Sequence, residues 1–531
     1  MATTGGRVMR LIDSLRLRSL GAQGDHPLES VRESQQVFAE LRGGDAMKSL
    51  EEITDWFGSV TDAEGMKPER RFEVVRQLDE LAQTHRIKLA RDFGVTSGRQ
   101  SRTQEAKLWA VNHDLWERAA RAYEDLIKRV EAREKGSDAL RKEVAFIAVR
   151  ALRAASMRLK WIYVRYGPVP ADLWAGMAHA YRFAEARQAE RVRVTPYPTI
   201  PGESSPEEEY LHGLLLAASA PDALTPAGLD VVERLIAGSA SKFRITAQPS
   251  PDSTYWVDLA DPRPPLRLAA PPARMTAGLR FFATAAGHTD VLLLLDRVEK
   301  TRELPRGVDV GGTTDPEVVI EVLQHLRLNW APQPPVRRTE RRRIQAKVQV
   351  VHGFEAIVGV MRPSDLDFDL GGSPDGEIWF VENLSAGGFG ASVMQSEGGW
   401  LAIGALIGVK AEAAGSHWEV AIVRRLSRDD RAPKGQVGVG VQILSGEALI
   451  GMFTTNIGRW ANGIATVDGI VLPEGGEPGA VLVALPRGLY LPGEQLLAMI
   501  EDRRHLMFPI GIVDRGADYD LIKFRAMVQD G

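Results

Sequence analysis

The texture of this chain changes at a proline-rich hinge, Ala331–Val336 (APQPPV). Before it, apolar residues recur at spacings of three and four. After it, they alternate in short runs punctuated by glycine. A helix and a strand place side chains with different periods, so one uniform fold cannot serve both halves. A chain of 531 residues also exceeds what a single core usually serves, at about 100–200 residues per domain. The expected class is multidomain α+β.

The first 26 residues carry Arg7, Arg10, Arg16 and Arg18 among leucines, without a continuous apolar core or a small-residue cleavage site. They read as a flexible or amphipathic segment rather than a signal peptide. Residues 27–195 read as an α-helical domain. Leu50, Ile53, Trp56 and Phe57 share one helical face, as do Phe72, Val75, Leu78 and Leu81, and longer amphipathic stretches cover Glu105–Glu134 and Asp138–Tyr163. The tryptophans here read as core. Tyr197–Pro206 reads as a linker. Residues 207–330 form a mixed α/β region with helices near Glu207–Ser219, Pro226–Gly238 and Asp315–Trp330. Its candidate strands are Lys242–Ala247, Trp256–Leu259 and Val291–Leu295.

Past the hinge, Ala346–His352, Phe354–Met361, Ile378–Val381, Trp418–Arg424 and Val437–Leu444 read as short strands, which predicts a small antiparallel barrel or sandwich over residues 335–446. The same texture continues through Gly469–Leu472, Ala480–Leu485, Gln495–Met499 and His505–Ile512, so residues 447–531 are expected to form a second small β-domain. No sequence repeat links the two.

Two features stand together in the first β-domain: the cationic run Arg337-Arg338-Thr339-Glu340-Arg341-Arg342-Arg343, and Asn383-Leu384-Ser385-Ala386-Gly387-Gly388 at the end of a later strand. They resemble the RxxxR and [D/N]xSxxG motifs of PilZ domains. Val420–Arg424 and Gly438–Ile443 downstream are similar to that family as well. The resemblance implies a six-stranded antiparallel β-barrel that binds the bacterial messenger cyclic di-GMP. The first motif has several registers: Arg337 with Arg341, Arg338 with Arg342, or Arg343 with Lys347; the second is favoured.

The residue types suit such a ligand. Arginine's planar fork pairs with phosphate oxygens, meets guanine O6 and N7, and stacks on a base face. Asn383 offers donor and acceptor, and Ser385 reaches a base or its own turn. Gly387 and Gly388 allow close backbone approach. The candidate ligand-binding set is Arg337, Arg338, Arg341, Arg342, Arg343, Asn383, Ser385, Gly387 and Gly388.

Other classes are disfavoured. The chain has no cysteine, which removes disulfides, thiolate metal sites and cysteine nucleophiles. Its ten histidines show no metal-ligand spacing, and no HExxH, GxxxxGK[ST] or GxSxG occurs. Asp365, Asp367 and Asp369 read as a solvated loop. The longest apolar run, Leu401–Val409, is far shorter than the about 20 residues a bilayer requires. A net charge of −4 gives no global attraction to nucleic acid, and the arginine run lacks the neighbouring aromatic residues that bind single strands.

The expectation is therefore a cytoplasmic, non-catalytic receptor without metal or cofactor, with cyclic di-GMP as regulatory ligand and a protein partner docking through the helical domain. It has no nucleic-acid partner and no stable membrane insertion. The alternative is a ligand-free scaffold of the same fold.

Overall fold

The computed structural model describes residues 26–529 except 97–101, 306, 309, 311–313, 334–340, 363–375, 395–398, 412–416, 434, 456–464, 474–478 and 492. Residues 1–25, the second half of the hinge and the Asp365–Asp369 loop therefore lie outside the described residues. The chain divides into two compact units. One covers residues 1–335 apart from Tyr166–Pro168 and Asp222–Thr225, which group with residues 336–531 in the other.

The first unit is mainly helical. Helices Val31–Gly43 and Ala46–Asp62 start at side-chain caps, Ser30 accepting from the Glu33 N–H and Asp45 from the Lys48 N–H. Helices Pro68–Thr96, Arg102–Glu131, Val144–Val164 and Ala171–Glu185 follow. Trp56 and Trp116 are buried in their core. At the centre, Asp79 accepts from Arg150 at 2.5 Å and from the hydroxyls of Tyr123 and Tyr197, each at 2.9 Å. Tyr197 belongs to the segment expected to be a linker. Its buried ring, with the Arg150 guanidinium 3.6 Å from its centroid, fixes that segment to the helical core instead.

Helices Pro206–Ala218 and Pro226–Ser239 lead into a four-stranded sheet: β1 (Ile245–Thr246), β2 (Tyr255–Asp258), β3 (Leu266–Arg267) and β4 (Leu279–Phe282), in the order β1-β4-β2-β3. Arg280 on β4 reaches Glu185 at 2.5 Å, and the buried Trp330 indole donates to Ser219 at 2.9 Å. The first contact ties the sheet to helix Ala171–Glu185, and the second joins the ends of helices Pro316–Asn329 and Pro206–Ala218. Val291–Leu295, expected as a strand, lies inside helix Ala285–Thr301. Gly287, Val291, Leu295 and Val298 form its buried stripe while Leu292 and Leu293 face outward, so a run of four leucines concealed a helical period.

The second unit contains two closed six-stranded antiparallel barrels. The first comprises β5 (Arg342–His352), β6 (Glu377–Ser385), β7 (Gly388–Met394), β8 (Leu406–Ala411), β9 (Glu419–Ser427) and β10 (Gln436–Ser445). The second comprises β11 (Leu449–Thr455), β12 (Ala465–Pro473), β13 (Ala480–Pro486), β14 (Leu496–Ile500), β15 (Arg503–Arg515) and β16 (Tyr519–Val528). Their cyclic orders, β10-β7-β6-β5-β8-β9 and β11-β12-β13-β16-β15-β14, are the same topology. In both, the first strand pairs with the second and fourth, and the third with the sixth.

Phe354–Met361, expected as a strand, is a helix. Phe354, Ile357 and Val358 share one face, and Asp518 accepts the Phe354 N–H at 2.7 Å. That face seals the joint between the barrels. Val351, Leu406, Val420 and Ile422 from the outer face of β5, β8 and β9 share a cluster with Ile470, Leu472, Ala484, Tyr519 and Leu521 from β12, β13 and β16. Strand β9 is thus buried on both sides, because Ala421 and Val423 point into the first barrel's own core.

Candidate functional site

The β6–β7 hairpin is fixed by its own sequence. Ser385 Oγ donates to the Gly388 carbonyl at 3.0 Å, and the Ile443 N–H donates to the Gly387 carbonyl at 3.2 Å, which binds the turn to β10. Gly388 has φ of +153°, and a Cβ there would stand 2.0 Å from the Val441 carbonyl oxygen. Only glycine lets the two strands approach this closely. Phe389, next along, is buried in the barrel core.

Asn383 lies over Gly390, where a Cβ would meet its Nδ2 at 2.6 Å. Among the described residues, its Oδ1 is buried without a hydrogen-bond partner. Such an orphaned acceptor is costly unless a donor arrives.

Of the arginine run, Arg337 and Arg338 lie outside the described residues. Arg341 immediately precedes β5; Arg342 and Arg343 are the strand's first residues, exposed and opposite Leu384 and Asn383. The ladder then shifts between Arg343 and Ala346. Arg341 lies between two neighbouring recesses. One, of ≈ 440 Å³, is bounded by Arg343, Glu382 and Asn383. The other, of ≈ 190 Å³, contains Ser385, Gly387, Gly388, Arg424, Arg425 and Gln442. The structure therefore brings Arg341, Arg343, Asn383, Ser385, Gly387 and Gly388 to one end of the barrel.

Arg424, Arg425 and Gln442 are additions that motif reading missed. The β9–β10 ladder pairs Val423 with Val441 and then Arg425 with Gly440, leaving Arg424 as the extra residue of a bulge. The bulge turns both arginines out of the core while Leu426 returns to it. Two consecutive arginines between Val423 and Leu426 break strict alternation, and that was the available signal.

Arg424 Nε donates to Gln442 at 2.8 Å, and its Nη1 lies 2.5 Å from Asp514 of the second barrel. The recesses gather four arginines against Glu382, with Asp514 beside Arg424 and Asp222 3.7 Å from Arg425, so a net positive charge remains among the described residues. That suits a polyanionic ligand.

Residues 32–251 match the family described as cyclic-di-GMP receptor FimW, N-terminal domain. The match covers helices and the start of the small sheet and leaves the barrels uncovered. No curated protein matches the chain.

Elsewhere, His113, Asp114 and Glu117 bring ligand-type atoms within 4.8 Å of one another on helix Arg102–Glu131. Glu117 is already paired with Arg121 at 2.8 Å and Arg158 at 3.2 Å. Among the described residues, no helix is long and apolar enough to cross a membrane.

Proposed function

We propose that this chain is a non-catalytic, cytoplasmic receptor for cyclic di-GMP that uses the hairpin end of its first barrel. The observation that carries the reading is the convergence of Arg341, Arg424 and Arg425 on the Ser385–Gly388 turn, beside the orphaned acceptor of Asn383. The ligand has two phosphodiesters and two guanines. Arginine forks meet phosphates bidentately and stack on bases, and a guanine N–H satisfies an orphaned amide oxygen. The resemblance of residues 337–343 and 383–388 to PilZ motifs supports the same ligand. So does the match of residues 32–251 to a domain whose description names a cyclic-di-GMP receptor. Ligand bridging of Arg337–Arg343 and the hairpin changes the contacts offered to a protein partner. Such a change is limited by the ligand's differential affinity for the two arrangements.

Isothermal titration of the full chain with cyclic di-GMP, with GTP and cyclic AMP as controls, tests the reading. The expected result is selective binding that weakens in Arg341→Ala, Arg424→Ala and Arg425→Ala. A hydrogen bond to a charged group is worth about 1.5–3 kcal/mol, so each loss is roughly tenfold or more. No heat and no thermal shift with the intact protein would favour the ligand-free scaffold.

A further inference from the structure

The joint between the two barrels uses one face of each, and each barrel leaves its other face open. The shared topology allows these faces to be matched residue by residue. Each fifth–sixth strand ladder carries two register shifts; one in β9–β10 falls between Val423↔Val441 and Arg425↔Gly440, and one in β15–β16 between Pro509↔Phe524 and Gly511↔Lys523. Val441 also pairs with Phe389, as Phe524 pairs with Val481. Counting along these ladders, Val420 corresponds to Leu506, Ile422 to Phe508, Arg424 to Ile510, and Gly408 to Leu497.

The first barrel's β5-β8-β9 face is buried in the joint. The corresponding β11-β14-β15 face of the second barrel is apolar and open. Leu497 is 48% exposed and Ile510 53%, beside the half-buried Leu506 and Phe508.

The converse holds at the other end. The second barrel enters the joint through β12, β13 and β16, with Ile470 0% exposed. Ile470 pairs with Ala484 as Phe380 pairs with Ser392, so Phe380 holds the corresponding place in the first barrel. Phe380 is 56% exposed, with Ile378 and Met394 exposed on the same outward face. Each barrel thus presents the half of the joint that the other has already used.

We propose that a second copy of this chain docks head to tail, the β11-β14-β15 face of one copy covering the β6-β7 face of the next. The occupant follows from the intrachain joint, which already places the same two kinds of face together with an apolar seam. The contact is heterologous, so it closes into a ring or extends into a filament. It does not depend on nucleotide binding.

The test uses the full chain without nucleotide, by sedimentation velocity and light scattering over a concentration series. The expected result is concentration-dependent association, lost in Phe380→Asp and in Leu497→Asp, each with unchanged circular dichroism and melting temperature. An equimolar mixture of the two variants then forms a 1:1 heterodimer and nothing larger, because one intact face remains on each. Met394→Asp and Ile510→Asp repeat the experiment at neighbouring positions. A monomer up to the solubility limit, an associated Phe380→Asp variant, or an inert mixture would each overturn the proposal.

Discussion

Arg424, on the bulge of the first barrel, lies 2.5 Å from Asp514 of the second while lining the recess beside Ser385 and Gly388. It follows Val420 and Ile422, which face the second barrel, so a charged residue extends an otherwise apolar joint to the edge of the candidate ligand site. A ligand phosphate and the Asp514 carboxylate would compete for one guanidinium. Replacing Asp514 with alanine is therefore expected to tighten cyclic di-GMP binding several-fold, equivalent to about 1 kcal/mol for a partly exposed pair. Titration calorimetry of the full chain measures it. Weaker binding would instead mean that Asp514 holds Arg424 in its binding position.

Gly388→Ala forces a Cβ against the Val441 carbonyl oxygen, a backbone atom that cannot swing aside. The expected cost is about 1–3 kcal/mol, the range for overpacking a tight interior. Urea denaturation would show it as a lower midpoint. Gly387→Ala, where a Cβ meets nothing nearby, is expected to leave stability almost unchanged.

The Asp79–Arg150 pair, with Tyr123 and Tyr197, anchors the helical unit. Burial works against the Arg150 charge, but Asp79 and the two tyrosines hold its proton more tightly than water would. Asp79→Ala leaves that buried charge with only the longer Glu80 contact, at 3.7 Å, and is expected to cost about 3 kcal/mol, the lower end for breaking a buried pair. An Asp79→Ala/Arg150→Met double variant is expected to recover much of the loss in thermal denaturation, since it removes both charges.

Acid weakens the fold through His26. Burial, aided by nearby Arg71, pushes its pKa down to about 4. Its Nδ1 accepts the Leu28 N–H at 3.2 Å, which leaves Nε2 to donate to Ser59 at 3.1 Å. Between about pH 6.5 and 4 the unfolded chain binds a proton that the folded chain refuses. Stability accordingly falls as pH drops through that window and levels off below it. Comparing urea midpoints at pH 7 and pH 5, His26→Gln should show a smaller decline than the intact chain. An equal decline would assign the effect to other groups, of which His85 and His212 are also depressed by burial.

Much of this protein was legible locally. Periodicity placed the long helices because each buries a stripe set by neighbouring residues, as at Leu50, Ile53 and Phe57. It also located eight of the twelve barrel strands, but gave no strand at Gly388–Met394, Leu406–Ala411, Leu449–Thr455 or Tyr519–Val528. It failed where a short apolar run fits either period: Val291–Leu295 and Phe354–Met361 became helices, because the surfaces they pack against selected the helical stripe.

The sequence by itself determined the α-to-β change at the hinge, the β character of both C-terminal domains and the arginine, asparagine and glycine residues of the candidate site. Only the tertiary structure decided which residues complete that site. Arg424, Arg425 and Gln442 come from strands far along the chain, and the bulge that exposes both arginines exists only as a mismatch between paired strands. The kinship of the two barrels was hidden for the same reason. Topology is a pattern of long-range hydrogen bonds between backbones, and backbones carry no side-chain signature.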